Sequence, residues 1–420
     1  MPRIRNTIKS LMLALVGACT LLAATTSALA DKLHLKDGRV LEGEIIREGE
    51  GFVYFKVKVG SIEQEQFFMT DQIVKIERDT EAAPAKTGTE TASKSSSSAS
   101  KAPAADGVRR IAIMNFGPPS SWQNEIDTTV GIQISADAWK RAVPLLEKDG
   151  VTDVVVRINS GGGLLLELQR FMDVYEKEYK PKFRTVAWIE SAISAAAMSP
   201  WVLEEFYFLP EGNIGACTGF SGRLNAIKGP QLEMVLYQME EASRKGKKDP
   251  KIMRAMQIQE PLSATIDERT GQVTWFQDVT SGDHLVNPVG QVLTITANEA
   301  VKLKLGKAVV ATPDELARAM GYQEYVWAGN EAIAFVDKNM RDNDKADKNW
   351  QVTAEKYQRT VGVAAQIQDR QRRGAEVGIA RRHLAELKRL FSGNPNFALM
   401  YGTDEEWFRE QEELLKRLMR

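Results

Sequence analysis

The feature that most constrains the fold of this chain is an apolar strand that breaks into three glycines. Residues 154–160 carry the strand pattern and end in a polar pair, residues 161–163 are all glycine, and apolar side chains then recur at helical spacing over residues 164–179. Glycine lets the backbone approach a ligand closely and aim N–H groups at one point. The pattern therefore predicts a strand, a glycine turn and a helix, with Gly162 and Gly163 as candidate donors to an oxyanion.

A second segment places a serine at the start of a helix. Residues 185–189 read as another strand, and Ser194 follows among small residues that open an alanine-rich helix. A serine there reaches a substrate without crowding. Taken alone, the glycine turn is also typical of phosphate-binding loops, and Ser194 is also typical of a helix N-cap.

The order of these elements resembles the proteolytic subunit of Clp protease and its relatives, signal peptide peptidase A and above all the NfeD-type membrane-associated serine proteases. Residues 158–163 are similar to the family's Ile-Asn-Ser-Pro-Gly-Gly, with Gly161 in the usual place of proline. Residues 192–196 are similar to its small-small-Ser-small-Gly, with Ala196 in place of the last glycine. The resemblance covers residues 109–320, roughly, and implies an α/β fold of the ClpP/crotonase-like class, a spiral of β-β-α units.

A serine nucleophile needs a base, because its hydroxyl is weak at its own pKa. The chain has three histidines, His34, His284 and His383. None stands at the spacing of the Clp subunit's histidine. The NfeD-type relatives and signal peptide peptidase A resemble Ser-Lys dyads, so the resemblance implies Ser194 as nucleophile, Lys228 as base, and Gly162 and Gly163 as the oxyanion hole. A loop lysine is otherwise an ordinary solvated charge.

The first thirty residues read as an export signal. Basic residues at positions 3, 5 and 9 precede an apolar run over residues 11–18, and residues 28–30 form a small-residue cleavage site. Residues 16–19 also look like a lipoprotein box, which would make Cys19 a lipidated first residue. Cleavage after residue 30 leaves Cys217 as the one cysteine, so no intrachain disulfide forms. We expect an exported protein of the bacterial periplasm or cell envelope.

The composition excludes several partners. The chain has 55 basic and 56 acidic side chains without a long basic run, which argues against nucleic acid. No P-loop, dinucleotide fingerprint or metal-ligand spacing is present in the sequence, so we expect no ATP site, no cofactor and no metal. Beyond the signal, no stretch reaches the roughly 18–20 apolar residues of a membrane span.

Residues 31–78 alternate in the period-two manner of strands around an Asp37-Gly38 turn. They predict a small antiparallel β-barrel of SH3-like or Sm-like type, with four strands over residues 32–36, 39–45, 52–59 and 65–68. Its role is either a spacer or the recognition of a peptide or envelope component. Residues 79–108 are rich in Ala, Ser, Thr and Lys, a composition that predicts a flexible linker.

The protease-like domain is predicted over residues 109–322. Within it, residues 264–276 and 286–294 read as an extra hairpin that covers the cleft, forms an oligomer contact or is an ordinary insertion. Two capping boxes are expected to open short helices, at Thr296 with Glu299 and at Thr312 with Glu315.

Residues 323–420 are predicted to be helical. One apolar face has members that recur at three and four: Val377, Ala380, Leu384, Leu387 and Phe391. Thr403 with Glu406 is predicted to cap a final helix. The region reads as an antiparallel helical hairpin or as an oligomerisation helix.

Three classes of function follow. The first is an exported serine endopeptidase that cleaves envelope or membrane-derived proteins without ATP, as a homo-oligomer with a membrane-protein partner. The second is an acyl-thioester enzyme, since crotonase relatives share the fold, although export separates the chain from cytoplasmic coenzyme A. The third is a non-catalytic scaffold or binding protein that keeps the fold.

Overall fold

The chain divides into two structural units, Met1–Thr91 and Ala92–Arg420, each with its own apolar core. The computed structural model describes residues 31–36, 39–49, 52–59, 62–78, 107–122, 126–221, 225–394 and 396–420. The predicted export signal and residues 79–106 of the predicted linker lie outside the described residues.

The first unit is an antiparallel sheet of five described strands, β1 (Asp31–Leu35), β2 (Val40–Gly49), β3 (Phe52–Val59), β4 (Ile62–Met69) and β5 (Ile73–Glu77). Their order across the sheet is β4-β3-β2-β1-β5. Alternate side chains such as Val53, Phe55 and Val57 are buried in its core, as period two requires. Four strands were predicted, and β5 is an addition, because it pairs with β1 rather than with its sequence neighbour. Closure into a barrel remains a prediction.

The described strands of the second unit are β6 (Arg109–Phe116), β7 (Thr129–Val130), β8 (Asp153–Ser160), β9 (Gly162–Gly163), β10 (Arg184–Ile193), β11 (Phe206–Gly215), β12 (Phe220–Ser221), β13 (Asn225–Ala226), β14 (Leu262–Ile266), β15 (Val273–Phe276), β16 (His284–Asn287), β17 (Thr294–Thr296) and β18 (Tyr325–Trp327). Six of them form one sheet in the order β17-β11-β10-β8-β6-β18. All neighbours in it are parallel except β17 and β11. The spiral arrangement of β-β-α units remains a prediction.

The described helices are α1 (Ala136–Lys148), α2 (Leu165–Val174), α3 (Ala195–Met198), α4 (Pro230–Lys245), α5 (Pro250–Gln257), α6 (Ala297–Lys302), α7 (Pro313–Ala319), α8 (Asn330–Gln366), α9 (Arg370–Gly393), α10 (Phe397–Tyr401) and α11 (Glu405–Leu418). After α2 the chain continues through a π-helical turn, Tyr175–Tyr179.

Strand β8 lies in the middle of the main sheet. Its residues Val154, Val155, Val156 and Ile158 are fully buried, which is typical of a parallel strand covered on both faces. Because β8 and β10 are parallel neighbours, their carboxyl ends meet at one edge of the sheet. The glycine turn follows β8 and Ser194 follows β10, so the two candidate segments are brought to the same edge.

The predicted hairpin over residues 264–294 is partly wrong. Strands β14, β15 and β16 form a separate three-stranded sheet, and Asn287 is its last strand residue. Residues 294–296 instead form β17 and pair with β11 in the main sheet. The apolar pattern was read as one long strand, whereas Gly290 at φ +80° turns the chain from one sheet to the other.

Of the three predicted helix caps, one is confirmed in full and one in part. Thr296 and Glu299 form a reciprocal capping box. The Thr312 hydroxyl accepts a bond from the N–H of Glu315, but the Glu315 carboxylate accepts from the N–H of Ala311, so this cap is not the reciprocal box that was predicted. The cap predicted at Thr403 is wrong: the N-cap of α11 is the next residue, Asp404, which accepts from the N–H of Trp407. A carboxylate caps as well as a hydroxyl, and Thr403 is buried instead.

The C-terminal region contains the predicted helical hairpin, made of α8 and α9. The predicted apolar face of α9 is buried at Val377, Ala380, Leu384 and Leu387. Leu390 completes that face, while Phe391 is only partly buried. In the same core Trp350 packs against aromatic rings of the last helices, at Phe397, Tyr401 and Phe408.

Candidate active site

The glycine turn is bound to a short strand from elsewhere in the chain. Residues Gly162–Gly163 form β9, which pairs in parallel with β7. A Cβ on Gly163 would lie 2.3 Å from the carbonyl oxygen of Val130, so a side chain has no room there. Gly162 has φ +103°, a conformation that other residues rarely adopt. Both positions therefore require glycine for the backbone to follow this path.

Ser194 has a strained backbone. It stands between β10 and α3 with φ 56° and ψ −128°, and it is one of four described non-glycine residues at positive φ. Such conformations cost about 1–3 kcal/mol and are concentrated at functional sites. Although Ser194 occupies the N-cap position of α3, its hydroxyl makes no capping hydrogen bond in the described structure. The hydroxyl is thus not committed to the helix that it precedes.

The two segments meet. A Cβ built on Gly162 would lie 2.6 Å from the Cβ of Ser194 and 2.8 Å from the carbonyl oxygen of Ile193. The absence of a side chain at Gly162 is what lets the serine lie directly against the glycine turn. The contact joins the glycine turn to the serine segment, two parts of the chain that only the family resemblance had placed together.

The backbone donors near Ser194 differ in availability. The N–H of Gly162 donates to the hydroxyl of Ser160 at 3.1 Å, and that hydroxyl donates to the carbonyl oxygen of Thr128 at 2.6 Å. The amide nitrogen of Ala195 lies 3.1 Å from the Cβ position of Gly162. As the first residue of α3, Ala195 has an N–H without an intrahelical acceptor. The sequence did not lead us to predict Ala195 as a donor. Its position directly after a serine at a helix start was the feature that could have indicated it.

Lys228 lies on the loop between β13 and α4, and its side chain is exposed. No hydrogen bond joins it to Ser194 in the part of the chain that the structure describes. The structure thus brings Gly162 and Ser194 together and leaves Lys228 in solvent.

The surroundings of Ser194 are apolar and tightly packed. Residues 195–198 are fully buried, and the Cys217 thiol lies 3.7 Å from the carbonyl oxygen of Ser194. Burial raises the pKa of the Cys217 thiol well above its usual value. A thiol held in its protonated form is a poor nucleophile, so Cys217 is not a candidate nucleophile.

A cavity of about 870 Å³ lies away from this site. It is lined by residues at the amino ends of the sheet strands, such as Arg184 and Thr185 at the start of β10, whereas Ser194 follows the carboxyl end of that strand. Lys248 also lines it and donates to the carbonyl oxygens of Trp201, Leu203 and Gly246. Burial, with the nearby charge of Lys180, lowers the pKa of Lys248 to about 7.

Neither a metal-binding cluster nor a membrane-spanning helix is found among the residues that the structure describes. No group of three or more His, Cys, Asp or Glu side chains there is arranged to hold a metal ion. None of the described helices has both the length and the apolar composition needed to cross a membrane.

Comparison with known proteins gives a distant relationship. No protein-family model matches the chain. Over 179 residues it is 24% identical to the membrane protein NfeD1b of Bacillus subtilis (strain 168), which covers 42% of this chain and 36% of that relative. The chain therefore spans about a third of the length of the relative that it matches. This similarity relates part of the chain to an NfeD-type protein.

Among solved structures, two mutants of the 1510-N membrane-bound stomatin-specific protease are similar, one of them in complex with a substrate peptide. Each is 14% identical with a TM-score of 0.34 and covers 50% of this chain. The matched regions are 84% and 79% of those chains.

Proposed function

We propose that this protein is a serine peptidase of the cell envelope with Ser194 as its nucleophile. The observation that carries the proposal is the strained backbone of Ser194, φ 56°, pressed against Gly162 at the carboxyl edge of a parallel sheet. Strain at a residue with an uncommitted hydroxyl, beside a glycine turn, is what a nucleophile facing an oxyanion hole requires.

In the proposed reaction, the Ser194 Oγ attacks a peptide carbonyl while a base takes its proton. The carbonyl oxygen becomes an oxyanion held by backbone N–H groups, and the amine then leaves with the proton that the base returns. Water hydrolyses the resulting acyl-enzyme by the same route. This chemistry needs neither ATP nor a metal.

The proposed oxyanion donors are Gly162 and Gly163, joined by Ala195. Because the Gly162 N–H donates to Ser160, it must exchange this bond when the oxyanion forms. The carbonyl oxygen of Val130 accepts from the N–H of Leu164 and not from that of Gly163. In this proposal the N–H groups of Gly163 and Ala195 therefore provide most of the stabilisation of the oxyanion.

Lys228 is the proposed base. A general base must lie within hydrogen-bonding reach of the hydroxyl whose proton it takes, and Lys228 is exposed, so the dyad requires Lys228 to move from solvent into the cleft. Catalytic hydrogen bonds are often formed only in the substrate complex.

The proposed substrates are polypeptides of the envelope or membrane. The export signal predicted at residues 1–30 and the distant similarity to NfeD1b, which is a membrane protein by name, support this location. The proposed assembly is a homo-oligomer working with a membrane-protein partner, either exported freely or anchored through Cys19.

A second candidate is a non-catalytic scaffold that binds polypeptides with the same fold. The exposed side chain of Lys228 favours it, because a serine without a base is a weak nucleophile.

Labelling of the folded protein with a fluorophosphonate probe tests the proposal. Wild type should be labelled, and Ser194→Ala and Lys228→Ala should both lose labelling and peptide hydrolysis. Lys245→Ala is the matched control, because Lys245 is also exposed, at the end of α4, and should leave both activities unchanged. Labelling that persists in Ser194→Ala would refute the nucleophile. An unlabelled wild type that still binds unfolded polypeptide would favour the scaffold.

A further inference from the structure

We propose that the C-terminal helices hold the glycine turn in its reactive position, with Asn396 as the principal positioning residue. The inference rests on the proposed function of the Ser194 site. It concerns residues that touch neither substrate nor the reacting atoms. The coupling runs through residues 127–134, called the β7 segment because β7 lies within it.

On one side, the β7 segment is bonded to the glycine turn. The N–H of Leu164 donates to the carbonyl oxygen of Val130 at 2.9 Å. Thr128 accepts from the Ser160 hydroxyl at 2.6 Å and from the N–H of Gly161 at 3.3 Å. These bonds bracket the turn, so its backbone position follows that of the β7 segment.

On the other side, the same segment is bonded to the C-terminal helical region. The side-chain amide of Asn396 donates to the carbonyl oxygen of Gly131 at 2.8 Å, and that of Asn394 donates to Ile132 at 3.3 Å. Gln133 donates to the carboxylate of Asp347 on α8 at 3.2 Å. Contacts from two separate helical stretches therefore fix successive residues of the segment.

Burial makes these contacts hard to replace with water. Ile132 is 1% exposed and belongs to the apolar core of the C-terminal helices. The nearby residues Val130 and Ile134 belong to the core around the main sheet. Gln133 and Asp347 are also buried. Separating the helices from the β7 segment would leave buried polar groups of the segment unpaired. A buried polar group without a partner costs its full desolvation free energy, so this separation is unfavourable.

Asn396 also reaches the far side of the glycine turn. Its amide donates to Glu167 at 3.2 Å, and Glu167, in the first turn of α2, accepts from the N–H of Ala136 at 2.8 Å. Glu167 is 2% exposed. One amide group thus ties the β7 segment before the turn to the helix after it.

The variant Asn396→Asp tests this arrangement, because it keeps the shape of the side chain but replaces a donor by a carboxylate facing a carbonyl and Glu167. The matched control is Asn349→Asp, the same change at an exposed position on α8. Amide hydrogen exchange of the peptide covering residues 161–168 should become faster in Asn396→Asp only. The maximal rate of fluorophosphonate labelling should fall about tenfold, with the half-saturating probe concentration unchanged.

A second variant, Asn394→Asp, guards against a folding defect. It loses the donor to Ile132 but keeps the acceptor that Asn394 offers to the N–H of Asn396. A smaller change in the same direction is expected. Unchanged exchange at residues 161–168 in both folded variants would overturn the proposal, as would faster exchange with an unchanged labelling rate. If wild type is not labelled at all, the proposed function fails, and the exchange result still decides whether the helices hold the turn.

Discussion

Gly162 lies so close to Ser194 that a Cβ on the glycine would stand 2.6 Å from the Cβ of the serine. Gly162 also has φ +103°, which disfavours any side chain. We expect Gly162→Ala to displace the turn from the serine and to lower the rate of fluorophosphonate labelling about a hundredfold or more.

Gly161→Ala is the control for that change. A Cβ on Gly161 would meet no atom within 4 Å, and Gly161 does not have a positive φ. Labelling should stay within about twofold of wild type. Equal losses in the two variants would mean that the contact with Ser194 is not what the glycine provides.

The strain at Ser194 predicts an unusual order of stabilities. Glycine adopts φ 56° readily and alanine does not, so Ser194→Gly should be more stable than Ser194→Ala by about 1 kcal/mol. Both variants should lose labelling. Urea unfolding followed by tryptophan fluorescence measures this, because all eight tryptophans lie in the second unit. An alanine variant as stable as the glycine variant would show that the backbone relaxes.

A buried ion pair should dominate the stability of the main sheet near its amino edge. Asp153 is fully buried, pairs with Arg109 at 2.9 Å and accepts from the hydroxyl of Tyr322 at 2.6 Å. Asp153→Ala leaves the Arg109 charge buried without its carboxylate, and we expect a loss of about 3–5 kcal/mol in the free energy of unfolding.

The comparison is with an exposed pair. Lys148 and Glu331 lie 2.8 Å apart, with side chains 71% and 59% exposed. Glu331→Ala should leave the urea midpoint close to that of wild type, because an exposed ion pair contributes little to stability. Similar losses for Asp153→Ala and Glu331→Ala, measured by the same urea unfolding, would contradict the buried-charge argument.

Lys248 predicts a pH dependence of stability. Its folded-state pKa of about 7 lies below the ordinary lysine value of 10.5. Between these two pH values the unfolded state binds more protons at this group than the folded state does, so its contribution to stability rises with pH. The destabilisation is complete below pH 7 and is relieved as the pH approaches 10.5.

The measurement is the melting temperature of wild type minus that of Lys248→Met from pH 7 to pH 10.5. Groups that titrate in both proteins cancel in this difference. The difference should increase with pH. A constant difference would show that the three carbonyl oxygens around Lys248 keep its pKa near the ordinary value.

Much of the second unit was predictable, because its elements are marked locally. Strand β8 is a continuous apolar run, and the helix α2 that follows the glycine turn has apolar residues at helical spacing. The caps at Thr296 and Thr312 follow from the positions of a hydroxyl and of the glutamate three residues later. Such signals depend on neighbours within one turn of helix, so a sequence displays them directly.

The errors occurred where distant residues decide the outcome. The strand predicted over residues 286–294 ran into the first residue of β17, because the local pattern does not record that β17 pairs with β11. Strand β5 was missed for the same reason, since it pairs with β1 at the other end of the first unit. The cap predicted at Thr403 was one residue too early, because tertiary packing buries the threonine and Asp404 caps α11 instead.

Local sequence was enough to mark the residues that suit a site: glycines where the backbone needs positive φ or close contact, and a serine at a strand-to-helix junction. How these residues are used depends on the folded arrangement. It brought Gly162 against Ser194, gave the Gly162 N–H to Ser160, left Lys228 exposed and fixed the β7 segment to the C-terminal helices. The physical reason is that backbone conformation depends on local side chains, whereas contacts, burial and hydrogen-bond partners depend on residues that only folding brings together.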